Sequence, residues 1–173
     1  ASGEIHGAAQ VQKIHPYRTN AFGSGDSGPL GWVEEGAVRL VQNWPLAQTQ
    51  PAQAAMKSIA AGRPWPRVEI VMSHAGAQGA TVQALVRDGA QGLVVAATGN
   101  GTLHQALEGA LERAQQAGVL VRVASRCPLG QIVPPPVCSS AGAAAPALQR
   151  VGGLNAVKVR VDVLLELLAG GAV

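Results

Sequence analysis

The feature that most narrows the fold of this chain is an alternation of short β-branched apolar runs with amphipathic helical stretches between residues 68 and 127. The runs are Val68–Met72, Leu93–Ala97 and Val119–Cys127. Between the first two lies a helix-like segment, Thr81–Val86, closed near Gly89. Between the last two lies a longer helix with Leu103, Ala106, Leu107, Ala110, Leu111 and Ala114 at i, i+3, i+4 spacing. Gln105, Glu108, Glu112 and Arg113 fall on its opposite side, and Gly118 suits the C′ position that ends it. Strands this uniformly apolar, separated by helices, predict a parallel sheet covered on both faces and joined by right-handed crossovers. The expected fold class is α/β, with this part of the chain flavodoxin-like in layout.

Composition supports a real core. Hydrophobic residues make up 47% of the 173, mainly Ala, Val and Leu. The formal charge is only +3, and Lys57, Arg63, Arg67, Arg87, Arg113, Arg122 and Arg126 form no run. A nucleic-acid or membrane-surface partner would want a basic stripe, so neither is expected. Gly or charged residues interrupt every apolar stretch well before the length of a bilayer span. The chain begins with Ala1, which fits a piece cut from something longer. No leader is visible in it, and the sequence leaves localisation between cytoplasm and periplasm. Cys127 and Cys138 flank a Pro-rich loop without a Cys-x-x-Cys pair or paired histidines, which argues against a metal site. A disulfide and two idle or buried thiols both stay open, the second being the commoner arrangement.

Upstream, Gly31-Trp-Val33 and Val38-Arg-Leu-Val41 around Glu34-Glu-Gly36 read as a β-hairpin. Residues 45–66 carry Pro45, Pro51, Pro64 and Pro66, which suits a connector with a short helix near Ala52–Ile59. A long loop from Pro128 to Ala147 precedes a last helix capped by Asn155, with Val157, Val161, Leu164, Leu165 and Leu168 as its buried stripe.

The chemistry-bearing feature is the turn Gly99-Asn-Gly101, between the run Leu93–Ala97 and the long helix. Open α/β sheets present ligand groups at the carboxyl edge of their strands, and the backbone donors of the following helix point there too. A dinucleotide fingerprint would need glycine where His104 stands, so the turn suits a small polar ligand better than a nucleotide.

This turn, the segment Val119–Cys127, the block from Gln12-Lys13 to Gly28-Pro-Leu-Gly31, and Gly153-Leu-Asn-Ala-Val-Lys158 together resemble the second half of a bacterial L-asparaginase. The likeness runs over nearly the whole chain. It implies three parts: residues 1–44 as the end of the amino-terminal domain with its hairpin, 45–66 as the inter-domain linker and 67–173 as the carboxyl-terminal α/β domain. It implies L-asparagine hydrolysis by a threonine nucleophile, with L-glutamine as a second candidate substrate, no metal or organic cofactor, and a homo-oligomer, tetrameric in the family norm. The two threonine loops of the family are absent from this chain. Thr19, Thr49, Thr81, Thr98 and Thr102 lie in unlike contexts, and a threonine without base and orienting partner is a poor nucleophile. The segment alone is therefore expected to be silent without the missing amino-terminal half.

By the resemblance, Lys13 matches the family's catalytic lysine; by composition alone it reads as one more solvated surface lysine. Partial desolvation beside other groups would lower its proton affinity, as a base or relay needs. The pattern departs from the family at Ala9-Gln10, where Arg-Asp is commoner. Asn100 falls in the turn that, in the family, reaches into a neighbouring subunit's site to hold the substrate's α-amino end. The residues themselves offer another role, the N-cap of a helix starting near Thr102. A carboxylate usually completes that intersubunit contact, yet Val137-Cys-Ser-Ser-Ala-Gly-Ala-Ala144 has no Asp or Glu, so amino-group recognition should differ here. His6, His15, His74 and His104 show no ligand spacing, and His104 is the one nearest the turn. The competing functional reading is a non-catalytic module or subunit that binds an amino acid.

Overall fold

The computed structural model describes residues 2–46, 49–133 and 147–170, except for the side chains of residues 49–51. The chain divides into two compact units, Ala1–Ala47 with Pro128–Gly130, and Gln48–Cys127 with Gln131–Val173.

The first unit is built from short antiparallel strands. These are β1 (Glu4–Ile5), β2 (Gln12–Lys13), β3 (Phe22–Gly23), β4 (Gly31–Glu34) and β5 (Ala37–Leu40). β1 pairs with β4 and β4 with β5, while β2 and β3 form a separate pair. The hairpin read from the sequence is β4–β5. Its register puts Glu34 opposite Ala37, leaving Glu35 and Gly36 as a two-residue loop, both at positive φ (49° and 76°). That is the backbone twist a tight hairpin needs. Arg39 closes it with a two-pronged hydrogen bond to the Glu34 carboxylate at 2.8 and 2.9 Å, and its guanidinium lies 4.9 Å from the Trp32 ring centroid.

The second unit holds helix α1 (Thr49–Ala60), strand β6 (Val68–Met72), α2 (Ala80–Arg87), β7 (Gly92–Ala97), α3 (Gln105–Gln116), β8 (Leu120–Ser125), β9 (Gln149–Arg150) and α4 (Ala156–Leu168). The strands β6-β7-β8-β9 lie in sequence order and all run parallel. Helices cover both faces, as the apolar runs require. Leu93, Val95 and Ala97 point into one core with α2 and α3, and Val94 and Ala96 into a second core with α4. The period-two alternation of one strand thus feeds two layers, and every residue of β7 is buried. α1 buries Ala55 and lies against α4, so within the stretch read as a connector this helix belongs to the second unit. Arg122 on β8 fastens α4 by donating from Nη2 to both Glu166 carboxylate oxygens at 2.8 Å.

Several local expectations are corrected. The helix after the Gly99–Gly101 turn starts at Gln105, not near Thr102, and its N-cap is His104 rather than Asn100. Ala106 is exposed, and the buried face of α3 is Leu107, Ala110, Leu111 and Ala114. Gly118 follows the C-cap Ala117 at φ +91°, where it ends the helix as expected. On α4, Asn155 is the cap, accepting from the Lys158 amide at 3.0 Å. The buried stripe of that helix, however, is Ala156, Val159, Val163, Leu167 and Leu168, with Val157 and Val161 in solvent. Cys127 is exposed. Cys138, the disulfide question and the acid-free stretch 137–144 lie outside the described residues.

Candidate active site

Because β6, β7 and β8 are parallel, their carboxyl ends share one edge of the sheet. There Arg126, just past β8, donates from its amide to the Ala97 carbonyl at 2.9 Å and from Nη1 to the Ser73 carbonyl at 3.2 Å. Ser73, buried just past β6, donates its amide to the Ala96 carbonyl at 3.0 Å. The three strand ends are thereby tied into one rim.

The turn projects from the middle of that rim. Thr98 and Thr102 bridge one another through their main chains, with Thr102 N to Thr98 O at 2.9 Å, and the Thr98 hydroxyl donates to the Thr102 carbonyl at 2.9 Å. The chain reverses between them through Gly99 and Gly101, both at positive φ (48° and 81°), which glycine adopts without the Cβ penalty. The Ser125 hydroxyl donates to the Gly99 carbonyl at 2.8 Å and accepts from the Cys127 amide at 3.0 Å. The turn is therefore fastened to the end of β8 by a single oxygen.

Asn100 sits at the tip, exposed. Its Nδ2 donates to the Val133 carbonyl at 2.9 Å, and its Oδ1 accepts from the Val133 amide at 2.7 Å. A main-chain amide can only donate and a carbonyl only accept, so the partners fix which end of the side chain is oxygen. His104, the α3 cap, accepts from the Ala106 amide at Nδ1, 3.3 Å away, which leaves the proton of the neutral ring on Nε2.

Lys13 belongs to the first unit, at the end of β2 opposite Phe22, and its side chain is exposed. Among the described residues it has no ion-pair partner. Near it in sequence, but in its own setting, His6 is almost wholly enclosed. Its Nδ1 shares a 2.8 Å hydrogen bond with the buried Ser24 hydroxyl, and its Nε2 lies 3.6 Å from Glu4 Oε2. His15 organises a local turn by accepting from the Tyr17 and Arg18 amides at 3.0 and 3.1 Å. His74 makes a 2.9 Å contact with the neighbouring Ala75 carbonyl. Lys13 lies in one unit, Asn100 and His104 in the other.

Sequence reasoning missed Ser125, Arg126 and Val133. The first two carried a usable signal, since Ser125 closes the β8 run opposite Ala97 of β7 and Arg126 follows it, at the same strand edge as the turn. Val133 acts through its main chain and leaves no mark on the sequence.

The carboxyl-terminal part of this chain, residues 67–171, matches the profile of the glutaminase/asparaginase C-terminal domain. A glutaminase-asparaginase from Pseudomonas fluorescens biotype A is 30% identical over 130 residues, 75% of this chain and 35% of that protein. L-asparaginase 2 from Escherichia coli K12 is 29% identical over 120 residues, 69% of this chain and 34% of that protein. Among solved structures, a probable cytoplasmic L-asparaginase from Campylobacter jejuni superposes with a TM-score of 0.72 at 27% identity, over 95% of this chain and 50% of that one. The chain thus spans about a third of the length of these curated relatives and half that of the structural neighbour.

Proposed function

The chain belongs to the glutaminase/asparaginase family, and on that premise we propose that it is part of an L-asparagine amidohydrolase, converting asparagine and water to aspartate and ammonia. The observation that carries this reading is the likeness to an L-asparaginase structure over 95% of the chain, which takes in nearly all of both units.

The reaction proposed is the one that membership of the family implies. A threonine hydroxyl, supplied by loops outside this chain, attacks the side-chain amide carbon. The carbon–nitrogen bond breaks, ammonia leaves with a proton, and water releases aspartate from the acyl-enzyme. Lys13 is the catalytic group proposed in this segment. A lysine whose ammonium is partly desolvated by the remainder of the site gives up its proton more readily, and the neutral amine can draw a proton from the threonine of the second of the family's two threonine loops. Lys13 is solvent-exposed in this chain, so that desolvation must come from groups outside it. The Asn100 turn is proposed to stand at the rim of a site completed by a second subunit, which is why a homo-oligomer is expected. No metal or organic cofactor enters this scheme.

Ammonia release from L-asparagine and L-glutamine by the protein made from its whole reading frame tests the reading. Release from L-asparagine is expected, and the 173-residue segment by itself is expected to be silent. Amino-acid binding by the whole protein without ammonia release would overturn it in favour of a binding module.

A further inference from the structure

The geometry points to Asn100 as a positioning residue rather than a direct ligand of the substrate: we propose that its carboxamide works as a two-pronged latch on the main chain of Val133. This inference rests on the amidohydrolase reading for its functional half, while its structural half stands on the hydrogen bonds alone.

Three observations carry it. Both ends of the carboxamide are committed to one peptide partner, Nδ2 to the Val133 carbonyl at 2.9 Å and Oδ1 to the Val133 amide at 2.7 Å. Such a closed pair fixes the plane of the amide, because rotating the side chain toward a ligand breaks both bonds together. The backbone that carries Asn100 is fixed as well, between two positive-φ glycines and under the Ser125 and Thr98 hydrogen bonds. Finally, the segment on the far side of the latch is anchored beyond Val133. Ile132 is buried, its amide donates to the Gly152 carbonyl at 3.2 Å, and its Cδ1 lies where a Cβ on Gly101 would meet it at 3.2 Å. Residues 131–133 therefore bridge the turn to the stretch after β9, with Asn100 as the polar clasp beside an apolar contact.

The chemistry of the two roles differs in a measurable way. A group that held a substrate ammonium through Oδ1 would do so at least as well as a carboxylate, since an ionised acceptor makes the stronger bond to a cation. A latch tolerates no such change. Asn100→Asp keeps an acceptor for the Val133 amide but sets a second carboxylate oxygen against the Val133 carbonyl, so one prong becomes repulsive.

The experiment has two arms. Amide hydrogen exchange at Val133 is measured in the wild-type chain, Asn100→Asp and Asn100→Ala, alongside exchange in β7 as a check that the sheet is intact. Exchange at Val133 is expected to rise tenfold or more in Ala, and in Asp to lie between wild type and Ala, with β7 unchanged. Unchanged exchange in Ala would overturn the latch, whatever the activity. In the whole protein, ammonia release from L-asparagine is then compared for the same variants. Loss of kcat in both, with KM for Asp no better than for Ala, is the expected result. A KM for Asp near or below wild type would overturn the positioning role in favour of direct ammonium binding. Inactive wild type would fail the amidohydrolase reading and leave the exchange result standing.

Discussion

Gly92, the first residue of β7, lies directly under Val163 of α4: a Cβ built on the glycine would stand 2.7 Å from Val163 Cγ1 and 3.1 Å from Val68 Cγ2. The absence of a side chain is what lets the helix settle on the strand, since close-packed cores have no slack for an added methyl.

Gly92→Ala is accordingly expected to destabilise the chain by about 1–3 kcal/mol, the usual range for overpacking a core. Val163→Ala removes the clashing methyl, so the double variant should lose less than the sum of the two singles. Thermal or denaturant unfolding of the three variants checks this, and strict additivity would show that the contact does not limit the packing.

The Arg122–Glu166 pair joins β8 to α4 with the guanidinium side chain only 13% exposed. Removing the carboxylate leaves a largely enclosed charge without its two-pronged partner. Glu166→Ala should cost about 1.5–3 kcal/mol, the range for hydrogen bonds to charged groups. Glu166→Gln, which keeps one acceptor, should cost less. Equal unfolding midpoints for wild type and Glu166→Ala would contradict this.

Glu34 titrates below the ordinary carboxylate range, first because Arg39 hydrogen-bonds to it, which outweighs an opposing desolvation, while the nearby guanidinium charge adds a lesser pull in the same direction. A carboxyl whose pKa is lower folded than unfolded stabilises the hairpin above the unfolded value and loses that contribution as pH falls through the folded one. Both groups are solvent-exposed, so the expected readout is the titration midpoint rather than global stability. Carboxyl NMR should place Glu34 below the remaining exposed glutamates, and Arg39→Met should return it to their range.

How far the sequence could be read depends on where the information lay. The layered sheet was legible because β7 is apolar at every position, a pattern that only a strand covered on both faces makes soluble. The hairpin was legible from Glu35-Gly36. Helix α4 misled because Val157, Val159, Val161 and Val163 alternate along it, offering two apolar stripes on one helix. Contact with Gly92, Val94 and Ala96 chooses the stripe of Val159 and Val163, a tertiary fact that periodicity does not contain. The capping error has a similar source. Asn100 has the better capping side chain, but the Thr98–Thr102 bridge closes the turn first and delays the helix to Gln105. The pair Asn100–Val133 joins residues thirty-three positions apart through a main chain, so no residue type announced it.

The most direct test of the central claim is ammonia release from L-asparagine by the whole protein beside its Lys13→Ala variant, with the unfolding midpoint of each measured in parallel. Equal midpoints are expected, because Lys13 is exposed at the end of β2, with a kcat lowered about 10²–10⁴-fold, the usual contribution of a positioned general acid or base. Ammonia release unchanged by the substitution would contradict the catalytic assignment of Lys13.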